Sequence, residues 1–173
     1  MQPLIDAIRN NQLKARISVV LSDIATAPIL SRAREHRIPA IFVDPTGCSR
    51  EQYDRALSAN LSNHQVDYVL LVGYARILSP FFTTHWRHRV FNVHPSLLPA
   101  FANKMDRAVH QAVLLSGVKE TGCTVHEVTE AVDGGPIVVQ KKCPVLDDDT
   151  VDTLKHRVQK LEGEALIETC MNL

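Results

Sequence analysis

Short apolar runs alternate with amphipathic segments along most of this chain. Four β-branched or apolar runs have the composition of buried parallel strands, at Ile17–Leu21, Pro39–Val43, Tyr68–Gly73 and Val90–Val93. Between them, apolar residues at helical spacing predict helices over 1–11, 25–36, 49–63 and a short helix ending near Trp86. Strands that alternate with helices predict an α/β fold with a doubly wound, mostly parallel sheet and helices on both faces.

The pattern changes towards the carboxyl end of the chain. Further elements are predicted there: a helix over 107–116, strand-like segments over 124–128 and 137–144, and a helix over 150–170 capped by Asp149 or Thr150. The loop between the two strand-like segments contains Asp133 followed by two glycines. Since no linker or internal repeat interrupts the sequence, we expect a single domain over residues 1–173.

Composition narrows the class of protein. The chain has 173 residues, of which 45% are apolar and 22% charged, and its 19 basic side chains balance 19 acidic ones. This balance does not favour nucleic acid as a partner, and the longest apolar run is far shorter than the roughly 20 residues of a membrane helix. The start lacks the pattern of a signal peptide. We therefore expect a cytoplasmic protein that acts on small molecules.

The four cysteines stand alone in the sequence. Cys48, Cys123, Cys143 and Cys170 have neither the spacing of metal ligands nor that of a redox pair. The histidines are equally scattered. We therefore expect reduced thiols and no metal.

The segment from Arg89 to Pro99 combines strand, turn and polar signals. The strand cannot continue past Pro95, so Asn92 and His94 fall where the strand becomes a loop. Residues i and i+2 of a strand share a face, so the amide and the imidazole should project together at the carboxyl edge of a sheet, where open α/β sheets bind ligands. A neutral N–H donor beside a proton donor suits attack on a carbonyl carbon. A hydrogen-bonded loop pair with no catalytic role is the alternative.

A carboxylate that orients the histidine or raises its pKa would complete such a site. Asp133 is the candidate, because the glycines after it let the backbone turn tightly beside a ligand. Its alternative role is that of a turn-forming aspartate.

These residues resemble the glycinamide ribonucleotide formyltransferase family, also called phosphoribosylglycinamide formyltransferase. The resemblance rests on several motifs in sequence order: Asn92-Val-His-Pro-Ser-Leu-Leu-Pro99, Asp133-Gly-Gly-Pro136, Ser49-Arg50-Glu51-x-Tyr53-Asp54, Gly73-Tyr-Ala-Arg-Ile-Leu-Ser-Pro80, Gly122-Cys-Thr-Val-His126 and Val158-Gln159-x-x-Glu162. They cover nearly the whole chain. The resemblance implies the formyltransferase fold, and it implies formyl transfer from 10-formyltetrahydrofolate to the amine of 5′-phosphoribosylglycinamide in de novo purine (IMP) biosynthesis.

The resemblance also assigns roles to individual residues. His94 resembles the catalytic proton donor, Asn92 a second donor to the same oxygen, and Asp133 the carboxylate that keeps the histidine protonated. His126 resembles a supporting position on the strand behind them. The other six histidines, which are His36, His64, His85, His88, His110 and His156, have polar neighbours in the sequence and are expected to be solvated.

Two binding sites follow from the same resemblance. The folate donor would contact Arg50, Ala75, Arg76, Ile77, Leu78, Asn92, Val128, Thr129 and Glu130, largely through exposed backbone groups that read the edge of the pterin ring. Gln159 and Glu162 would bind the ribonucleotide. From the residues alone, Arg76 could equally be a solvated surface residue, Ile77 and Leu78 core residues, and Gln159 and Glu162 an exposed helical face. The resemblance leaves a homodimer open as the assembly.

The sequence departs from the family in three places. Nothing corresponds to the family's first strand and its glycine-rich phosphate loop, and the extreme carboxyl terminus is short, so we expect a fold truncated at both ends. At Phe101-Ala-Asn103, asparagine stands where relatives often have glycine; asparagine tolerates a left-handed backbone, so the turn should survive.

Three other functions are alternatives to formyl transfer onto the ribonucleotide. A formyltetrahydrofolate hydrolase is disfavoured, because its motif has a doubled histidine where this chain has His94-Pro-Ser96. A methionyl-tRNA formyltransferase would need a further RNA-binding domain. An inactive remnant that only binds folate stays open, since the phosphate loop has no counterpart.

Overall fold

The computed structural model describes all of residues 1–173 and contains six helices and six strands. The helices are α1 (Gln2–Arg9), α2 (Pro28–Glu35), α3 (Arg50–Asn63), α4 (Pro80–His85), α5 (Arg107–Ser116) and α6 (Val151–Met171). The strands are β1 (Val20–Ser22), β2 (Ala40–Phe42), β3 (Val69–Leu71), β4 (Val90–His94), β5 (Glu120–Glu127) and β6 (Ile137–Pro144). No helix combines the length and the hydrophobicity needed to cross a membrane.

The strands form an open α/β arrangement. β1 and β2 make a parallel pair, and β3, β4, β5 and β6 make a four-stranded sheet in that order. β3 and β4 are parallel, whereas β5 is antiparallel to both β4 and β6. The parallel strands are the ones that alternate with helices in the sequence. β5 and β6 are joined by a loop alone, as antiparallel neighbours commonly are, whereas β4 and β5 are antiparallel although α5 lies between them.

The sequence predicted the element order and most of the boundaries. α5 and β6 have the predicted bounds. α3 begins after a capping box in which the Ser49 hydroxyl accepts from the Gln52 amide, and Thr150, one of the two proposed caps, caps α6. β5 begins at Glu120, four residues earlier than predicted, because Glu120 to Cys123 are paired with the end of β6 despite their lack of strand periodicity.

Two main apolar clusters hold the helices on the sheet. The larger has fifteen buried residues from β4, β5, β6, α1, α5 and α6, and it includes Val125, Val109 and Leu154. The smaller has eight, and it packs α3 and α4 on the other face of the sheet around Tyr53, Phe82 and Trp86. β4 is therefore buried on both faces, which fixes the strand that carries Asn92 and His94.

Candidate active site

The centre of the site lies at the carboxyl end of β4. Asn92 pairs with His126 in the β4–β5 ladder, and His94 pairs with Thr124. The His94 side chain is only 4% exposed, and that of His126 is 3% exposed. Two imidazoles and an amide therefore lie together in a nearly water-free environment.

Asp133 joins these side chains from the loop between β5 and β6. Its Oδ2 lies 3.4 Å from Nδ1 of His94, and its Oδ1 lies 3.6 Å from Nε2 of His126. The side chain of Asp133 is 9% exposed, so little water screens its charge. The structure thus brings Asn92, His94 and Asp133 into one cluster.

His94 is held between two acceptors. Its Nε2 lies 3.2 Å from the carbonyl oxygen of Phe101, and its Nδ1 faces Asp133. A neutral imidazole has one N–H and leaves one of these acceptors facing a lone pair, whereas the imidazolium can donate to both. Burial works in the opposite direction and lowers the pKa of His94, while the negative charge of Asp133 and the Phe101 carbonyl partly raise it. Burial is the larger of these effects, so the pKa of His94 lies below its usual value.

His126 orients the amide of Asn92. Its Nδ1 lies 2.9 Å from the carbonyl oxygen of Glu127, which can only accept, so Nδ1 carries the proton. In the neutral ring Nε2 then accepts from Nδ2 of Asn92, 3.2 Å away. This contact uses one N–H of the Asn92 amide and leaves the second N–H for a ligand.

The segment from Ser96 to Leu98 is tied to the sheet behind it. The Thr124 hydroxyl donates to the carbonyl oxygen of Ser96 at 2.7 Å and accepts from the Leu98 amide at 3.0 Å. Nε2 of Gln140 on β6 donates to the Leu98 carbonyl oxygen at 2.9 Å. These contacts place the following residues, including Phe101, over His94.

Three residues near the centre have left-handed backbone conformations. Phe101 has φ 60°, Asn103 has φ 61° and Asp133 has φ 53°. Asn103 and Asp133 are residue types that tolerate this region, as expected for Asn103 from the sequence, whereas Phe101 is not. The Asn103 amide donates to Oδ2 of Asp133 at 2.9 Å, so the loop before α5 positions the carboxylate.

Seven of the nine predicted folate-contacting residues lie on two neighbouring loops, 75–78 and 128–130, while Arg50 is on α3 and Asn92 on β4. Leu78 belongs to the eight-residue cluster together with Val90, and Val128 packs against that cluster. Val128 also donates its amide to the Val90 carbonyl oxygen at 2.8 Å. The backbone amides from Ala75 to Leu78, and those of Thr129 and Glu130, make no hydrogen bond to other backbone groups. These two loops therefore present unpaired donors next to β4.

Two of the predicted folate residues have their side chains elsewhere. Arg50 is exposed in the first turn of α3 and makes no contact with the residues of the centre. The guanidinium of Arg76 lies 4.8 Å from the centre of the Tyr53 ring, and its Nη1 is 4.0 Å from Asp23. Arg76 therefore faces the carboxyl end of β1 rather than Asn92.

Gln159 and Glu162 lie on α6. Gln159 is exposed, and Glu162 is half-buried. Burial raises the pKa of Glu162 to about 7, against the attraction of Lys155 and the amino group of Met1. Neither Gln159 nor Glu162 contacts the His94 cluster, so these two predicted site residues lie outside it.

Sequence reasoning missed two contributors and misplaced one histidine. Phe101 and Asn103 act through backbone groups, which the residue type does not reveal. Only the tolerance of Asn103 for a left-handed backbone gave a partial signal. His110, expected to be solvated, is 2% exposed on the inner face of α5, and its Nδ1 has no hydrogen-bond partner. Its charged sequence neighbours were misleading because Asp106 and Arg107 project away from the face that α5 buries.

Comparisons with known proteins agree with this geometry. The chain matches the formyl transferase family (Formyl_trans_N) over residues 1–170. It is 40% identical over 167 residues to phosphoribosylglycinamide formyltransferase of Escherichia coli (strain K12), a match covering 94% of this chain and 76% of that protein. It is 41% identical over 165 residues to the trifunctional purine biosynthetic protein adenosine-3 of Drosophila melanogaster, and there it spans 94% of this chain but only 12% of the relative.

A solved structure extends the match to three dimensions. Glycinamide ribonucleotide transformylase 1 from Symbiobacterium toebii superimposes with a TM-score of 0.93 at 40% identity, covering 98% of this chain and 79% of that one. The agreement in sequence and fold spans almost the entire chain, and this chain therefore belongs to the formyl transferase family.

Proposed function

We propose that this chain transfers a formyl group from 10-formyltetrahydrofolate to the amine of 5′-phosphoribosylglycinamide, a step of de novo purine biosynthesis. The observation that carries the proposal is the cluster of Asn92, His94 and Asp133 at the buried end of β4. Similar proteins from Escherichia coli and Symbiobacterium toebii carry names that state formyl transfer to this ribonucleotide.

The cluster suits nucleophilic attack on a formyl carbon. The amine forms a C–N bond to that carbon, and the carbonyl electron pair moves to the oxygen, which becomes an oxyanion. The free N–H of Asn92 and an N–H of His94 can both donate to this oxygen. Collapse of the intermediate re-forms the carbonyl, breaks the bond to the folate nitrogen and requires one proton on that nitrogen. A protonated His94 can supply it, and the proton lost by the amine restores the balance.

Asp133 supports the charged form of His94. Its carboxylate lies beside Nδ1, and burial of both groups strengthens their attraction. The Phe101 carbonyl oxygen lies where an N–H on Nε2 of His94 would point. For Nε2 to donate to a formyl oxygen, this contact must be exchanged for the substrate, which requires a small movement of the 100–104 segment.

The two loops beside β4 fit the folate donor. Their unpaired amides, from Ala75 to Leu78 and at Thr129 and Glu130, can read the hydrogen-bonding edge of a pterin ring as a neighbouring strand would. The apolar side chains of Leu78 and Val128 pack beneath that position. On α6, the Glu162 carboxylate can attract the cationic or hydroxyl groups of the ribonucleotide, with Gln159 beside it.

An assay of both products tests the proposal. Purified protein is given 10-formyltetrahydrofolate with and without phosphoribosylglycinamide, and formylated ribonucleotide and free formate are measured separately. We expect formylated ribonucleotide that depends on the amine. His94→Ala should lower kcat by about 10²–10³-fold with little change in the Kd for a folate analogue, because the donor acts mainly in the transition state.

His36→Ala provides the matched control, since His36 lies at the end of α2, away from the cluster. Its kcat should equal that of the parent protein. Release of formate at the same rate without the amine would favour a hydrolase instead. Folate binding with no turnover of either kind would identify an inactive folate-binding protein.

A further inference from the structure

Gln140 lies two strands away from His94, in the same row of the sheet. His94 on β4 is paired with Thr124 on β5, and Thr124 is paired with Gln140 on β6. Directly paired residues of neighbouring strands project from the same face of a sheet. This face is turned away from α5 and α6, because Val125 and Val139 point the other way into the fifteen-residue cluster. The three side chains therefore follow one another across one face.

The 96–101 segment crosses this face. A Cβ atom on Gly122 of β5 would come within 3.0 Å of Cδ2 of Leu97, so the segment packs directly against the strand. At its far end, the Phe101 carbonyl oxygen lies 3.2 Å from Nε2 of His94. The position of the segment therefore decides which group faces the imidazole.

The protons that attach this segment to the sheet can be assigned. The Ser96 carbonyl oxygen can only accept, so the Thr124 hydroxyl donates to it at 2.7 Å. The hydroxyl oxygen in turn accepts from the Leu98 amide at 3.0 Å and from Nε2 of Gln140 at 2.9 Å. The second N–H of the Gln140 amide donates to the Leu98 carbonyl oxygen at 2.9 Å. Both protons of the Gln140 amide thus serve the attachment of this segment.

Gln140 supplies what no other residue supplies to the segment. No backbone amide donates to the Leu98 carbonyl oxygen, so Gln140 is its partner. Hydrogen bonds in a chain also polarise one another, and the Gln140 amide makes the Thr124 hydroxyl a stronger donor to Ser96. Loss of the Gln140 amide therefore weakens the attachment at both Leu98 and Ser96.

The hydrogen bonds of Gln140 contribute little to the stability of the fold. Its side chain is exposed on the edge strand β6, and it belongs to neither main apolar cluster. Hydrogen bonds between neutral groups add only modestly to the free energy of unfolding. A substitution at Gln140 should therefore loosen the 96–101 segment without unfolding the chain.

We propose that Gln140 is a positioning residue for His94, acting through the 96–101 segment to hold the Phe101 carbonyl oxygen against Nε2 of His94. A carbonyl oxygen cannot donate, so it favours a proton on Nε2, while Asp133 favours one on Nδ1. Together the two acceptors favour the protonated ring. The consequence for turnover rests on the proposed function, whereas the positioning itself does not.

The pKa of His94 measures this contact directly. The Phe101 carbonyl raises that pKa, so a looser segment should lower it. Asp133 and His126 also act on this pKa, and neither is changed in the variant. We expect the pKa of His94 to be lower by about 0.5 in Gln140→Met, whose side chain has a similar length but no donor. An NMR titration of the imidazole, assigned by comparison with His94→Ala, gives this value without turnover.

Turnover provides the second readout. Above the pKa of His94, a fall of about 0.5 lowers the protonated fraction by about threefold, so kcat at pH 7 should fall by about threefold in Gln140→Met. The KM for the folate donor should stay within about twofold. At a pH below the pKa of both proteins the two values of kcat should converge, because both rings are then protonated. A residue that only supported the fold would lower kcat at every pH.

Lys142→Met is the matched control. Lys142 lies two residues further along the same face of β6, and its ammonium group pairs with Glu120 at the surface. The pKa of His94 and kcat should both equal those of the parent protein. Gln140→Asn is the second variant: it keeps the amide but is one carbon shorter, so it cannot reach both Leu98 and Thr124 and should behave like Gln140→Met.

Three results would overturn the positioning role. They are an unchanged pKa of His94 in both Gln140 variants, a shift of equal size in Lys142→Met, and a pKa that rises in Gln140→Met. A lower pKa together with an unchanged kcat at pH 7 would support the positioning of His94 and contradict the role of its protonated form in the proposed reaction. The NMR titration and the turnover assay therefore separate failure of this inference from failure of the proposed function.

Discussion

The chemical centre and the recognition surfaces of this protein differ in how their polar groups are paired. At the centre, Asn92, His94, His126 and Asp133 already contact one another, and backbone groups of Phe101, Asn103 and Glu127 complete the set. On the loops beside β4, the amides from Ala75 to Leu78 have no backbone partner. One region is arranged by the protein itself, and the other offers groups to a ligand.

The difference in pairing follows from what the polar groups of each region must do. Donors that stabilise a developing charge are effective when they are held in place before the reaction, so contacts within the chain serve them. Donors that recognise a ligand must have no partner within the protein until the ligand binds. Their loops are exposed to solvent, so water can accept these hydrogen bonds in the meantime. Substitutions at the centre should therefore change kcat, and substitutions on the recognition surfaces should change KM.

After His94→Ala, the largest expected effect is that of Asp133→Asn. The carboxylate raises the pKa of His94 against the lowering effect of burial, so its loss lowers that pKa further. If protonated His94 is the active form, the rate falls as pH rises through its pKa, and in the variant this fall occurs at lower pH. We expect kcat at pH 7 to drop by about 10²-fold or more, with KM nearly unchanged.

Profiles of kcat against pH for both proteins provide the measurement. Asp147→Asn is the control, because Asp147 is 93% exposed and pairs only with Lys119 at the surface. A variant profile that keeps its shape and shifts to higher pH would contradict the assignment of Asp133.

A smaller effect is expected at Glu162, on the recognition side. Burial raises its pKa to about 7, so the carboxylate forms as pH rises through neutrality. The KM for the ribonucleotide should fall by up to about tenfold between pH 6 and pH 8, since ionic attraction of this size is worth about 1.4 kcal/mol. Glu162→Gln should abolish this dependence, and Glu164→Gln, an exposed position two residues away, should retain it.

Ionisation of Glu162 also affects the stability of the fold. A rise in pH should improve ribonucleotide binding but lower stability. A folded-state pKa above the unfolded value near 4.5 means that burial of Glu162 favours the native state at acidic pH. This contribution is lost as pH rises through about 7. Denaturant titrations of Glu162→Gln should therefore show a flatter stability profile across that range.

The smallest effect is expected at Asn103, whose backbone amide contacts Asp133 at the chemical centre. Its φ of 61° is left-handed, so Asn103→Ala should lower the free energy of unfolding by about 1 kcal/mol. Asn103→Gly should leave it nearly unchanged, because glycine adopts this conformation freely. Both variants retain the backbone amide that donates to Asp133. Equal destabilisation by alanine and glycine would show that the asparagine side chain, rather than its backbone conformation, matters.

The sequence alone determined the order of the elements and the position of the chemistry. Buried strands are apolar throughout, and helices repeat their apolar residues at helical spacing, so β3, β4, α3, α5 and α6 were visible in the pattern. The strand-to-loop change at Pro95 placed Asn92 and His94 together, since neighbouring side chains on one face of a strand are a local property. Asp133 was found through its glycines and through family resemblance.

Only the tertiary structure decided the contacts that cross the chain. Phe101 contributes its backbone carbonyl and Asn103 its backbone amide. Every residue type except proline has both groups, so no sequence pattern marks these two positions. The burial of His110 depends on which face of α5 meets the core, and the pairing of β5 with β4 and β6 depends on long-range register. An apolar cleft of about 600 Å³, lined by both β1 and β3, likewise forms only in the folded chain, because whether a strand edge is paired depends on which strands meet and not on the sequence of either strand.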